Sequence, residues 1–155
     1  DTSNEYYNGS GWTEINDLNN SVKTGGSAGT YAAALSFAGI TGPNTTTANC
    51  EQWNGTCWAN VNAVNTARRY PNNYSCGTST SALLIGGDVP PATGKTESWN
   101  GTCWSETGDM TLARTGSSTG CADNASGIVS GDGPIVTTVE EFQAPTTNTV
   151  TFTAS

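Results

Sequence analysis

The stretch Glu51-Gln52-Trp53-Asn54-Gly55-Thr56-Cys57-Trp58 recurs almost intact as Glu97-Ser98-Trp99-Asn100-Gly101-Thr102-Cys103-Trp104. A looser copy, Glu5-Tyr6-Tyr7-Asn8-Gly9-Ser10-Gly11-Trp12, precedes both. Trp12, Trp58 and Trp104 fall at steps of 46 residues, and Asn8, Asn54 and Asn100 keep the same step. A fixed period in this range marks a repeat architecture, in which each unit buries its apolar face against its neighbours. The copied stretch reads as a β-hairpin. Asn-Gly suits a two-residue type I′ turn, which needs positive φ at both central residues. That register sets Trp53 opposite Thr56, Gln52 opposite Cys57 and Glu51 opposite Trp58. Alternation then places Trp53 and Trp58 on one face, buried against a neighbouring sheet.

The units can be followed along the chain. Residues 1–18 hold one hairpin, a half unit. Residues 19–62 form a full unit, with the apolar run Ala32–Phe37 closed by Ala38-Gly39, then the loop Ile40–Thr47 and the Asn54-Gly55 hairpin. Residues 63–109 repeat it. Thr66-Ala67-Arg68 opens the unit, Cys76–Ser79 and Ser81–Ile85 are strands, Gly86-Gly87 closes them, and a Pro90-Pro91 loop leads to the Asn100-Gly101 hairpin. Residues 110–155 form a degenerate last unit. Leu112-Ala113-Arg114 restates the opening, Gly131 the closure, and Thr137–Phe142 with Thr149–Thr153 the hairpin. In it Phe142 and Phe152 stand for the two tryptophans, as in a terminal or capping repeat. Four short strands in about 46 residues match one blade of a β-propeller. The expected fold class is therefore all-β, with three and a half blades of four antiparallel strands.

An Arg, an apolar strand closed by a Gly pair, a variable loop and a strand bearing an aromatic residue resemble the kelch repeat. The matching positions are Arg68, Leu83–Ile85, Gly86-Gly87, Trp99 and Trp104, and again Arg114, Gly131 and Phe142. The Glu-x-Trp-Asn-Gly-Thr-x-Trp wording, followed by Thr-Ala-Arg, is similar to kelch-like repeats of phage and environmental bacterial surface proteins. The resemblance implies a propeller in which Gly86 and Gly87 permit close backbone approach. It also implies that Trp12, Trp53, Trp58, Trp99 and Trp104 pack as the structural core between blades. Propellers usually close with four to eight blades. Three and a half leave open edges, so the chain is a fragment, a self-associating ring or filament, or an open stack of sheets.

The cysteines add a second reading. Cys57 and Cys103 occupy one repeat position; Cys76 and Cys121 occupy another. The first copy lacks both. This joint gain and loss predicts the disulfides Cys57–Cys76 and Cys103–Cys121, while other pairings, or reduced buried cysteines, stay open. Cys50 is left as a free thiol or an interchain link. Disulfides imply an oxidising, extracellular, cell-surface or virion setting. The chain begins at Asp1 without Met or a leader, which reads as a mature or cut-out segment of a longer precursor.

Composition narrows the function. Five Lys and Arg against thirteen Asp and Glu, a formal charge of −8, argue against a nucleic-acid partner. No apolar run is long enough for a membrane span. With no His there is neither a Ser-His-Asp triad nor a His-bound metal. Copper-oxidase members of the kelch group use His and Tyr ligands, so that activity does not carry over. Glu5, Glu51 and Glu97 recur at one strand position, which points to a structural role, pairing with Arg68 and Arg114, over glycosidase chemistry. No cofactor and no catalytic residue is expected. Asn44, Asn73 and Asn124 are candidate glycosylation sites, whereas Asn8, Asn54 and Asn100 are explained by their turns. The expected function is a non-enzymatic extracellular or virion-surface structural or adhesion protein. Its partner would be itself or neighbouring blades of a longer chain. A carbohydrate-binding host-recognition module using the loop face is the alternative, and it needs exposed aromatics that the loops Ile40–Thr47, Asp88–Lys95 and Asp132–Thr137 lack. A propeller glycosidase is a third reading.

Overall fold

The computed structural model describes residues 2–71, 75–115, 117–131 and 137–145. Asn73, most of the Asp132–Thr137 loop and the Thr149–Thr153 strand with Phe152 lie outside the described residues. The fold is all-β and consists of small antiparallel sheets that follow one another along the chain. The N-terminal hairpin pairs β1 (Asn4–Tyr7) with β2 (Trp12–Ile15). The first full unit contains β3 (Gly26–Thr30), β4 (Ala33–Phe37), β7 (Cys50–Trp53) and β8 (Trp58–Val61), hydrogen-bonded in that order. Its loop carries a two-residue ladder between β5 (Ile40–Thr41) and β6 (Thr45–Thr46). The second unit repeats the order with β9 (Ser75–Gly77), β10 (Ala82–Ile85), β11 (Thr96–Trp99) and β12 (Trp104–Glu106). The third sheet is β13 (Ser118–Gly120), β14 (Ser126–Ser130) and β15 (Val139–Gln143).

The hairpin register differs from the two-residue turn expected above. Trp53 pairs with Trp58 and Trp99 with Trp104, so each loop holds four residues. The reason is the Asn side chain. Asn54 Oδ1 accepts from the amides of Thr56 and Cys57, both at 2.9 Å, and Asn100 and Asn8 repeat the pattern. Asn here caps the turn with its side chain, and only the following Gly, Gly55 at φ +92°, takes the left-handed conformation. The tryptophans of each hairpin still share a face, with ring centroids 5.5 Å apart for Trp53–Trp58 and 5.4 Å for Trp99–Trp104.

Directly opposed residues share a face, so each full sheet has two distinct sides. The Trp face carries Trp53, Trp58 and Ala34 in the first unit, and Trp99, Trp104, Ala82 and Leu84 in the second. The Leu face carries Leu35 and Phe37, then Leu83 and Ile85. The core forms where the Trp face of one sheet meets the Leu face of the sheet before it. Trp99, Trp104, Ala82 and Leu84 bury themselves with Leu35, Phe37 and Cys50, and Phe37 meets Trp104 at 4.9 Å between ring centroids. Leu83 and Ile85 bury themselves with Val129 and half-buried Phe142 of the third sheet. The first strands of successive sheets adjoin: β9 lies beside β3 and β13. At the close of each apolar strand, Gly39 and Gly87 donate backbone N–H bonds to the carbonyls of Arg68 and Arg114 in the next unit. A Cβ on Gly39 would sit 2.7 Å from the Lys23 carbonyl oxygen. This close approach is what the Gly-closure motif permits.

Candidate functional site: an aromatic cleft at the N-terminal hairpin

The recurrent glutamates fasten each unit's opening segment to its third strand. Glu97 accepts from the Asn65 amide at 2.6 Å, the Thr66 amide at 3.1 Å and Asn65 Nδ2 at 3.0 Å, and it pairs with Arg68. Both side chains of that pair are fully buried. Arg68 also donates to the Gly86 and Lys95 carbonyls at 3.1 and 2.7 Å, tying the Gly closure to the unit's opening. Burial pulls the Arg68 guanidinium below its ordinary value, and the Glu97 charge pulls it back. Glu140 of β15 takes the same role in the third unit, accepting from the Thr111 and Leu112 amides and pairing with Arg114 at 2.9 Å. Burial raises the Glu140 carboxyl, but the two amides and Arg114 outweigh it and hold it below the ordinary carboxylate value. In the first unit Val22 stands where Arg68 stands in the second. Glu51 is there satisfied by the amides and side chains of Asn19 and Asn20, all at 2.8–2.9 Å. Arg114 therefore pairs with Glu140, and Glu51 pairs with no Arg. Glu51 and Glu97 are saturated, buried carboxylates, a geometry suited to fastening loops.

The cysteines pair differently from the expectation. Cys76 on β9 bonds to Cys121, just past β13, with Cα atoms 5.4 Å apart. Cys57 and Cys103 are free. Each sits in a turn between the third and fourth strands of its sheet, with Sγ 3.6 and 3.5 Å from Asn54 and Asn100 Nδ2. Cys76 and Cys121 belong to adjoining first strands, at the other side of the sheets, which puts the predicted pairs on opposite edges. Cys50 is a free thiol, buried in the cluster that holds Trp104. Burial, helped by the Glu51 charge and opposed by the Trp104 indole, pushes this thiol up to about 12.

The candidate glycan sites separate as well. Asn44 is exposed in its loop, and its Oδ1 accepts from Arg69 at 3.0 Å. Asn124 is no longer a candidate, because its Nδ2, the atom a glycan would take, donates to Ser98 Oγ at 3.1 Å and the Trp99 carbonyl at 2.9 Å. The Ile40–Thr47 and Asp88–Lys95 loops do meet. Arg69 bridges Asn44 and Asp88, and Tyr70, 42% exposed, lies under the Arg69 guanidinium.

The tryptophans are not equivalent. Trp53, Trp99 and Trp104 are buried and Trp58 is half-buried, but Trp12 is 69% exposed. Trp12 is thus not a core residue. It lies on the Trp face of the N-terminal hairpin with Tyr7, 5.4 Å away between ring centroids, and no described sheet covers that face. The hairpin's other face, with Asn4, Tyr6 and Ile15, approaches Trp53 and Trp58 of the first full sheet. Between them runs an open cleft of about 260 Å³, lined by Tyr6, Tyr31, Trp53 and Trp58 and also reached by Tyr7 and Trp12. Tyr6 stacks on Tyr31 at 6.0 Å, and Trp53 Nε1 donates to the Tyr31 carbonyl at 3.0 Å. Tyr31 itself is 77% exposed. This concentration of rings, with Tyr31 and Trp12 the most exposed, lies apart from the loops after the Gly closures. The adjacent Tyr6-Tyr7 pair, in a hairpin that has no companion strands among the described residues, is the signal the sequence offers.

The fold and the cleft define an all-β repeat chain of small antiparallel sheets packed face to face, with one end carrying accessible aromatic rings. The sequence matches no protein-family profile and no curated protein. Among solved structures, the fold is similar to that titled "Structure of YjhT", with a TM-score of 0.65 and 12% sequence identity. The match covers 83% of this chain and 45% of that one, so the chain spans less than half the length of its structural neighbour.

Proposed function

We propose that this chain is a kelch-like, β-propeller-type repeat module of an extracellular or virion-surface protein. Its role is structural assembly or adhesion through packing of its sheets, without catalysis. The observation that carries the reading is the asymmetry of the two ends. One end exposes a Trp face, with Tyr7 and Trp12. The other exposes a Leu face on the third sheet, with Ile128 50% and Val139 57% exposed. Inside the chain, faces of these two kinds are buried against each other at both junctions between larger sheets. The ends of two copies are therefore complementary in the sense that internal neighbours are, and head-to-tail contact gives a ring or a filament according to whether the rotation closes. The Cys76–Cys121 bridge suits an oxidising setting, and among the described residues no helix is long and apolar enough to cross a membrane.

The test is the mass in solution as a function of concentration, by light scattering. The wild-type chain is expected to grow beyond the monomer, and Trp12→Asp to remain monomeric. A wild type that stays monomeric at millimolar concentration refutes the assembly role. The exposed rings of Tyr7, Trp12 and Tyr31 also favour a second reading, glycan adhesion at the hairpin end and not at the loop face. A saturable ligand on a glycan array that is lost in Trp12→Asp would establish it.

A further inference from the structure

In both full units the third strand has two neighbours. β7 lies between β4 and β8, and β11 between β10 and β12. The N-terminal hairpin corresponds to the third and fourth strands alone. Its β1 pairs with β2 and with no other described strand. The missing neighbour is the strand that, in the full units, supplies the large side chains of the Leu face. β4 brings Leu35 and Phe37 onto Trp99 and Trp104, and β10 brings Leu83 and Ile85 onto the third sheet. Over Trp58, which is half-buried, no described strand takes that place and the cleft lies there, while Trp53 beside it is buried. All four residues of β1 border the cleft, opposite Trp53 and Trp58. Among the described residues, the outer edge of β1 thus runs unpaired along an aromatic trough.

We propose that this edge is a docking site for an extended peptide strand, which pairs antiparallel with β1 and sets large apolar side chains at positions i and i+2 into the trough beside Tyr31 and Trp58. The occupant is a peptide of the type Ala-Leu-Ser-Phe or Leu-Leu-Ile, the two strands that this chain itself places at the equivalent site. Backbone pairing along the edge supplies affinity, and the alternating pockets supply selectivity. A sugar stacked on the same rings would leave the β1 edge unpaired, whereas a strand satisfies edge and trough together. Spacing selects the side chains. Residues at i and i+2 point to one side of a strand, and only an apolar pair there continues the arrangement seen between Phe37 and Trp104. The inference goes beyond the assembly reading, because it holds whether or not the ends of the stack associate.

The experiment titrates wild-type protein and Val139→Asp with a synthetic peptide spanning residues 32–38, flanked by lysines for solubility. The control peptide carries Ser at both positions corresponding to Leu35 and Phe37. Val139→Asp disables the far end of the stack and leaves β1 and the cleft untouched. Binding is read by tryptophan fluorescence and by hydrogen exchange of the β1 amides. The expected result is saturable binding to both proteins, slowed exchange at Glu5–Tyr7, and affinity for the control peptide weaker by on the order of tenfold or more. Equal affinity for the two peptides, no slowing at β1, or no binding would each overturn strand addition. A glycan that binds the cleft while the peptide does not would overturn it in favour of sugar recognition. Loss of self-association in Val139→Asp with peptide binding intact would separate this site from the assembly surface and sustain it.

Discussion

Replacing Glu97 by Ala is expected to be the most damaging single change among the recurrent glutamates, and replacing Glu51 by Ala clearly milder. The two residues occupy one repeat position and do the same work, fastening two backbone amides of the incoming loop. They differ in what they leave behind. Without Glu97, the Arg68 guanidinium remains fully buried with only neutral carbonyl partners, Gly86, Lys95 and Thr66. Breaking a buried pair from one side costs about 3–5 kcal/mol. Without Glu51, the stranded groups are the amides and side chains of Asn19 and Asn20, all neutral. Unsatisfied neutral groups cost about 1–3 kcal/mol. The expected gap is therefore roughly 2 kcal/mol. Urea unfolding of the oxidised protein at pH 7 measures it. With a slope of about 2 kcal/mol per molar, the midpoint drops by roughly 2 M for Glu97→Ala and about 1 M for Glu51→Ala. Arg68→Val in the Glu97→Ala background should cost less than the sum of the single changes, because the stranded charge is gone. An equal or larger loss for Glu51→Ala would refute the reasoning, since it would mean that the buried Arg carries no penalty of its own.

Three further outcomes follow from the geometry. Reduction of Cys76–Cys121, or its replacement by Ser at both positions, opens a loop with a sequence separation of 45 and should cost about 4 kcal/mol on the chain-entropy account, read as a lowered urea midpoint. Alkylation of the native protein at pH 8 should label Cys57 and Cys103 but spare Cys50, whose raised thiol stays protonated and covered; peptide mapping that finds Cys50 modified before unfolding would contradict this. The Glu140 carboxyl is depressed in the folded chain, so its contribution is present above the unfolded value of about 4.3 and lost as pH falls through the folded value; Glu140→Gln should flatten acid unfolding in that range.

Much of the strand layout was legible because period and alternation are written in the residues. Ala82–Ile85 and Ala33–Phe37 follow directly from apolar runs closed by a Gly motif, and Glu97 was marked as structural by its recurrence. The turn register was not legible. Asn-Gly has the same letters whether Asn occupies a central turn position or caps the turn with its side chain, and only the competition between those hydrogen bonds decides. The Cys76–Cys121 pairing is not legible in the sequence for a topological reason. Repeat spacing says which cysteines are equivalent, but not that the first strands of successive sheets adjoin while the hairpin turns lie at the far edge. Trp12 holds the same repeat position as Trp58 and Trp104 but is 69% exposed. It is exposed because no described sheet lays a Leu face over it, so identical letters meet a different environment.

The most direct test of the account is electron microscopy of the purified chain at high concentration, without reducing agent. Packing of exposed Trp faces on exposed Leu faces predicts rings or filaments that disappear in Trp12→Asp. A field of single particles of monomer size, unchanged by that substitution, would contradict it.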